Sequence, residues 1–416
     1  MADDDDRHPF SGIPFLGDIA SLLSGSETAL WEGARQAATQ LAGGGKPEHN
    51  VDPLERHRLS EISRVAELHV ARVTQMQGAP RLEPVTRSGW ATDALGAVRP
   101  LMDRLSKRLS QDIGQDASTS PDPFAGLLAM MSPMTVAMTA GMMVGHLAAG
   151  AFGNSDLLIP MPRTLIVTAN VTAFADEWSL EADDVMLWAA IREHAMHAVL
   201  AQPDIAGQLE ALLRHHIEGF RPRDRSLDVE ELGLADLGLD DLGLGDRGGE
   251  HLGGPDFSGW FGSDGSPPES RSQMHRQLHQ QLQRIFGNPE LLLGVARDDR
   301  HDDTSRLETL ISVLTAYVDD VIAQAGRRLI GGYEALNEAV RRRDVGTQGA
   351  DYADRLLGIR LSAEARGRGE RFIAGVIERA GREGLTRLFE PGGLPTPNEF
   401  DAAGLWLARL DLNDAH

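Results

Sequence analysis

Residues 121–162 carry almost no charge, and this limits how the chain can fold. Asp122 and Asp156 are the only Asp, Glu, Lys or Arg residues among them. Residues 124–150 are numerous enough to span a bilayer, but they are rich in Ala, Gly and Met, and Pro133 interrupts them. Lys and Arg do not flank this stretch closely, as they flank membrane anchors. We therefore predict a buried helical hairpin over residues 124–150, and we do not expect membrane association.

Charge and cysteine content exclude several classes of function. The net charge of −22 argues against nucleic acid and against an anionic membrane surface, which attract basic proteins. The chain has no cysteine, so disulfides, thiol catalysis and Cys-ligated metals are excluded. Residues 1–7 are acidic, whereas a secretory signal begins with basic residues. We expect a cytoplasmic protein.

Helical periodicity dominates the chain. The run Thr164–Thr168, TLIVT, is mostly β-branched and predicts a strand. We predict a mostly α (α+β) fold with a small sheet near residues 157–171. A long stretch with repeated Leu-Gly-Leu and Asp is acidic and glycine-rich, which predicts a disordered, flexible insertion. The predicted regions are an N-terminal loop segment (1–28), an N-terminal helical region with the hairpin (29–156), a strand and motif helix (157–220), the insertion (221–271) and a C-terminal helical region (272–416).

The segment 187–200, LWAAIREHAMHAVL, carries the residues closest to a known catalytic pattern. We predict that it lies on a helix with Ser179 as its N-cap. Zinc peptidases of the H-E-x-x-H class place two histidines at i and i+4 on one helix face, with a glutamate as general base. In the matching frame Glu193 is present, but Arg192 and Met196 stand where histidines are needed. A guanidinium has no lone pair to donate, and a thioether is a poor ligand for zinc.

Neighbouring histidines offer a weaker candidate for a metal site. His194 and His197 are spaced i and i+3. At about 100° per residue they lie roughly 200° and 140° around the helix from position 192. We therefore expect them on the other side of the helix, as solvent-facing or satisfied polar side chains. Two further pairs are predicted to be solvated: His215 with His216, and His275 with His279.

Longer segments carry a resemblance to a known family. They read HPFSGIPFLGDIASLL, PMPRTLIVTANVTAFADEWSLEADDVMLWAAI, EGFRP, YVDDVIAQAGRRLIGGYEALNEAVRRR and RFIAGVIERAGREGLTRLFEPGGLPTPNEFDAAGLWLARL. The chain resembles an actinobacterial family of zincin-like hydrolases or zinc-dependent metalloproteases, which has a sister group linked to deazaflavin-cofactor biosynthesis. The resemblance covers most of the chain and implies a zincin-like metallopeptidase fold.

The resemblance also implies roles for particular positions. The family's zinc histidines fall on Arg192 and Met196, and its general base falls on Glu193. Its glutamate ligand falls on Thr315 of TAYVD, and an aspartate that supports the ligands falls on Asp319. All three ligand positions are therefore degenerate, and we expect no bound metal and no cofactor.

The expected function is that of a pseudoenzyme, a catalytically inactive pseudo-metalloprotease that binds or regulates an unknown protein or peptide partner. An active metallohydrolase with unorthodox ligands, drawn from His194, His197, Glu193 and Asp319, is the alternative. A membrane-associated role of the hairpin is a third possibility. In the first case we expect Arg192 to replace the zinc charge by pairing with Glu193 or Asp319, with Met196 packed beside it.

Overall fold

The computed structural model describes residues 27–76, 81–119, 123–222, 295–297, 301–346 and 363–414. Residues 1–26 and 223–271, which include nearly all of the predicted loop segment and insertion, lie outside this part, as do His275 and His279. Contacts divide the chain into a large unit, residues 1–220 with 297–416, and a small unit, residues 221–296. The site described below lies in the large unit.

The described residues are mostly helical with little sheet, as predicted. Their α-helices are α1 (Glu27–Ala42), α2 (Pro53–Thr74), α3 (Arg87–Thr119), α4 (Pro123–Gly150), α5 (Thr168–Trp178), α6 (Ala182–Leu200), α7 (Pro203–Glu218), α8 (His301–Gly326), α9 (Tyr333–Gly346), α10 (Ala363–Ala380), α11 (Pro397–Phe400) and α12 (Ala403–Asp414). Short 3₁₀-helices cover Asn154–Asp156 and Arg382–Phe389. The strands are β1 (Leu82–Val85), β2 (Thr164–Val167), β3 (Phe220–Pro222) and β4 (Val295–Arg297), and β3 pairs with β4 in a separate two-stranded sheet.

The stretch predicted to be a hairpin is a single helix, α4, with Pro133 inside it. A proline within a helix costs about 3 kcal/mol or more, which is why the pattern indicated a break. The second half of α4 packs against α1 and α3, and its buried side chains include Val144 and Leu147. Each such side chain contributes about 1.5–3 kcal/mol when it is buried, so packing outweighs the cost of the proline.

Small residues set the distance between α1 and α4. A Cβ atom at Gly141 would lie 2.4 Å from the carbonyl oxygen of Ala34, and one at Gly145 would lie 2.8 Å from that of Ala38. Both alanines are fully buried. The Gly-xxx-Gly spacing therefore serves close packing between two helices. In the described residues, none of the helices combines the length and hydropathy needed to cross a bilayer.

The strand predicted at Thr164 is confirmed and belongs to a small two-stranded sheet. Strand β2 pairs in parallel with β1, with Leu82 opposite Thr164. On its other side Gly153 forms an antiparallel bridge with Ile166, and Phe152 O accepts a hydrogen bond from Val167 N at 2.9 Å. The segment that leaves α4 therefore lies along the edge of β2 that does not pair with β1.

Helix α6 is buried on most of its circumference, which makes it a central element of the unit. It packs against α2, α5 and α8. Its N-cap is Glu181, not Ser179 as predicted. Ser179 instead ends α5 in the left-handed conformation, with φ at 53°, so the two helices are separated by a tight turn that periodicity alone does not reveal.

Candidate functional site

The turn after α4 holds a largely buried carboxylate, the side chain of Asp156, which is 13% exposed. Asp156 Oδ2 accepts hydrogen bonds from the backbone N–H groups of Phe152, at 2.6 Å, and Gly153, at 3.0 Å. Its Oδ1 lies 2.9 Å from Arg192 Nη1 and 4.0 Å from Arg343 Nη2. Burial alone would raise the pKa of Asp156, but the charges of the two arginines and these hydrogen bonds outweigh it and hold the pKa below its ordinary value. Asp156 is therefore ionised at neutral pH.

Arg192 points from α6 towards this turn. Besides its ion pair with Asp156, its Nη2 lies 3.5 Å from Ser155 O, and its guanidinium lies 5.7 Å from the centre of the Trp188 ring. The predicted partners were Glu193 and Asp319, and this prediction was wrong: the ion pair is to Asp156. The reason is that Asp156 comes from a turn 36 residues away, which a pattern on α6 does not show.

Arg343 brings α9 to the same turn, which no local pattern in the sequence indicates. Its Nη2 donates to Gly150 O at 2.6 Å, and its guanidinium lies 3.5 Å from the centre of the Phe152 ring. Cation–π contacts of this kind contribute about 0.5–2 kcal/mol. Arg343 thereby ties the C-terminal helices to the turn that holds Asp156.

Glu193 is buried beside the same turn, with 1% of its surface exposed. Its Oε1 and Oε2 lie 3.2 Å and 3.1 Å from Ser155 N, which donates to the carboxylate. A Cβ atom at Gly153 would lie 2.6 Å from Glu193 Cδ, so only glycine allows this approach. Burial raises the pKa of Glu193 to about 7, helped by the charge of Asp156 and opposed by Arg192 and Ser155. Glu193 can therefore hold or release a proton near neutral pH.

The two histidines of α6 lie in different surroundings. His194 is 1% exposed. Its Nε2 lies 2.9 Å from Ser63 Oγ on α2, and its Nδ1 has no hydrogen-bond partner in the described residues. Burial, with a smaller effect of His197, lowers the pKa of His194 to about 4. It is therefore a neutral core residue, not a solvent-facing one.

His197 is half-buried, and burial lowers its pKa. Its Nδ1 lies 3.4 Å from Thr164 Oγ1 on β2. The expectation that His197 faces away from the motif positions was wrong, because it lines the same pocket as Glu193 and Met196. The predicted direction of His197 was its angle around the helix axis from position 192. The pocket is instead lined from position 193, and Glu193 and His197, at i and i+4, share one helix face.

The histidine pair at 215 and 216 was predicted to be solvated, which is correct for one member only. His215 is exposed. His216 is 4% exposed and lies edge-to-face on Phe220, with ring centres 5.5 Å apart. Adjacent residues on a helix point about 100° apart, so one of the two faces the core.

A pocket of about 80 Å³ lies between α6, β2 and the turn that precedes β2. Its lining residues are Asn154, Ile159, Pro160, Met161, Thr164, Glu193, Met196, His197, Leu200 and Ala201. Organic ligands occupy pockets of roughly 300–1,000 Å³, so this one has room for an ion or a few water molecules. At its edge the Asn154 side chain donates from Nδ2 to Arg163 O at 2.5 Å and accepts at Oδ1 from Leu165 N at 3.3 Å.

The remaining candidate residues are not all at this pocket. Met196 is 5% exposed and lines it. Thr315 and Asp319, on α8, are not among the lining residues. Thr315 Oγ1 is buried with no hydrogen-bond partner in the described residues, and Asp319 is exposed. The structure thus brings Glu193, Met196 and His197 together and turns Arg192 towards Asp156.

These residues do not fit a zinc ion of the H-E-x-x-H type. The guanidinium of Arg192 is protonated and held by Asp156, so it supplies no lone pair. The carboxylate of Glu193 accepts from the backbone of Ser155. Across the described ranges, His, Asp and Glu side chains do not form any group of three or more that could hold a metal.

The helical fold with a small sheet beside a glutamate-bearing helix is that of a zincin-like protein. Residues 30–407 match the sequence profile of the zincin-like metallopeptidase family, and the chain belongs to this family. The predicted resemblance to zincin-like proteins is thus confirmed.

A solved structure supports the fold. The chain aligns with a protein from Chloroflexus aurantiacus described as a "putative hydrolase with a novel fold", at 18% sequence identity and a TM-score of 0.52. The alignment covers 92% of this chain and 98% of that one. At this identity the likeness concerns the fold alone. Curated protein sequences give no match to this chain.

Proposed function

We propose that this chain is a catalytically inactive member of the zincin-like metallopeptidase family that binds or regulates an unidentified protein or peptide. The observation that carries the proposal is the ion pair between Arg192 Nη1 and Asp156 Oδ1 at 2.9 Å. By the resemblance, position 192 belongs to the first zinc ligand. In this chain position 192 is an arginine, whose guanidinium does not ligate zinc, and the ion pair with Asp156 fixes the guanidinium in place.

Electrostatics supports the same proposal. Two carboxylates meet at the turn, the largely buried Asp156 and the buried Glu193. The charge of Arg192 acts on both, and Arg343 lies beside Asp156. Buried carboxylates that lack a counter-charge are costly. The two arginines supply two permanent positive charges, the same formal charge as a zinc ion. They hold Asp156 ionised, and Arg192 opposes the rise in the pKa of Glu193, so positive charge is present at the turn without a metal.

The alternative of an active metallohydrolase with unorthodox ligands gains no support from the geometry. His194 contacts Ser63 on α2, whereas His197 faces Thr164 on β2. Asp319 is exposed on α8. These side chains do not converge on one position, as zinc ligands must.

Metal content and peptide hydrolysis test the proposal together. The full chain, purified without an affinity tag and dialysed, should contain well under one zinc per molecule by mass spectrometry. A peptide library should show no cleavage that a chelator abolishes. Stoichiometric zinc combined with chelator-sensitive cleavage would overturn the proposal.

A variant with restored ligands is the positive control. The triple change Arg192→His, Met196→His and Thr315→Glu should create zinc affinity that the native chain lacks. The matched control is Arg192→Ala, Met196→Ala and Thr315→Ala, which removes the same side chains without adding ligands. Both variants leave Arg343 beside Asp156, so the turn keeps one counter-charge. Circular dichroism verifies that both are folded before zinc is added.

A further inference from the structure

Two thioethers and an imidazole line the pocket beside Glu193. Met196 and His197 reach it from α6, and Met161 reaches it from the loop before β2. Consecutive residues on a helix point about 100° apart, so Met196 and His197 approach from different sides, with Met161 from a second element. Three donor side chains thus border a volume of about 80 Å³.

These donors are soft, and that decides which ion they suit. Thioether sulfur favours Cu(I), whereas Mg²⁺, Ca²⁺ and Mn²⁺ favour oxygen donors. Imidazole binds copper as well as zinc. The change from histidine to methionine at position 196, which removes a zinc ligand by the resemblance, adds a soft donor to the same pocket.

His197 has a polar neighbour on β2. Its Nδ1 lies 3.4 Å from Thr164 Oγ1. Histidine ligands usually donate one ring N–H to a neighbouring acceptor, which fixes the tautomer and leaves the other nitrogen for the metal. The tautomer in which Nδ1 donates to Thr164 Oγ1 leaves the lone pair of His197 on Nε2 for a metal.

The charge of the pocket favours a cation. Its lining contains neither Lys nor Arg, and Glu193 contributes a carboxyl group. The whole chain carries a net charge of −22. We propose that this pocket binds one Cu(I) ion through Met161, Met196 and His197. This site shares Met196 with the zinc positions that the resemblance implies, but it takes its other two donors, Met161 and His197, from outside them, and it does not depend on catalytic inactivity.

Competition with a colorimetric Cu(I) chelator tests the site. The full-length chain, kept under anaerobic reducing conditions, is titrated against the Cu(I) complex of bicinchoninate, and the loss of its absorbance is followed. The native chain should withdraw one equivalent of Cu(I). The double variant Met161→Leu, Met196→Leu should weaken this affinity at least about tenfold, because even the partners of metal ligands contribute about 10–100-fold. His197→Gln should weaken it similarly.

Met186→Leu is the matched control. Met186 lies on the same helix, α6, is half-buried and does not line the pocket, so its replacement should leave Cu(I) affinity unchanged. Leu for Met usually costs less than about 1.5 kcal/mol, and Met161→Leu alone, in a loop, serves if the double variant does not fold. A native chain that takes no Cu(I) from the chelator overturns the proposal. So does a pocket variant that competes as well as the native chain, because binding is then elsewhere.

Discussion

Replacement of Arg192 by alanine tests the charge arrangement around Asp156. The change removes the contact between Arg192 Nη1 and Asp156 Oδ1 at 2.9 Å, and it removes the guanidinium that lies over the Trp188 ring. Loss of one partner from a buried pair costs about 3–5 kcal/mol, and from an exposed pair about 0–1 kcal/mol. The two side chains are 21% and 13% exposed, closer to the buried case. Because Arg343 remains 4.0 Å from Asp156, we expect the free energy of unfolding to fall by about 2–3 kcal/mol.

Urea unfolding, followed by circular dichroism at pH 7, measures this loss. The control is Arg58→Ala. Arg58, on α2, pairs with Asp183, which lies on α6 as Arg192 does, and the Arg58 Nε–Asp183 Oδ1 distance is 2.6 Å. These two side chains are 60% and 58% exposed. That variant should lose less than about 1 kcal/mol. A double-mutant cycle with Asp156→Asn should give a coupling energy within the range of about 0.5–3 kcal/mol seen for contacting residues. If Arg192→Ala costs no more than Arg58→Ala, the arginine does not balance a buried charge and the reasoning fails.

Two further predictions concern Glu193 and its neighbour. Because burial raises the pKa of Glu193 from 4.5 to about 7, the native state keeps a proton that the unfolded chain releases between these values. The free energy of unfolding should therefore fall as pH rises through this window. Urea unfolding at pH 5 and pH 8 measures the fall, and Glu193→Gln should remove the part that Glu193 contributes. A variant with the same pH dependence as the native chain would contradict the raised pKa. Gly153→Ala should destabilise the fold by about 1–3 kcal/mol, because its Cβ would lie 2.6 Å from Glu193 Cδ and from Leu165 O. The control Gly96→Ala, in open space on α3, should stabilise by about 0.5–1 kcal/mol, and equal effects in thermal unfolding would show that the approach to Glu193 is not tight.

Local patterns in the sequence predicted part of the fold. The β-branched run at Thr164 predicted β2, because such side chains are stiff and pack well on a sheet. Strand β1 was not predicted, since its four residues include Glu83 and Pro84, which are poor strand formers. Pro133 indicated a break in α4 that does not occur, because contacts with two other helices stabilise the continuous form.

Long-range contacts of the candidate site left no trace in the sequence pattern. Arg343 reaches Gly150 across 193 residues, and Arg192 reaches Asp156 across 36. Periodicity reports which face of a helix is apolar, but not which residue of another element meets a charged side chain. The motif frame therefore identified Glu193 and Arg192 without identifying Asp156, which pairs with Arg192, or Arg343, which lies beside Asp156.

The side chain of Asn154 has a consequence for the edge of strand β2. Its carboxamide bonds Arg163 O and Leu165 N, two backbone groups on the side opposite β1. A strand edge with unpaired groups is a template on which another extended chain can add. Here the Asn154 side chain pairs with one half of the strand and the backbone of Phe152 and Gly153 pairs with the other half, so this edge of β2 presents no open ladder. An extended segment that joined this edge would have to displace the Asn154 side chain and also the backbone of Phe152 and Gly153. It would exchange existing hydrogen bonds for new ones, and so would gain affinity only from its side chains.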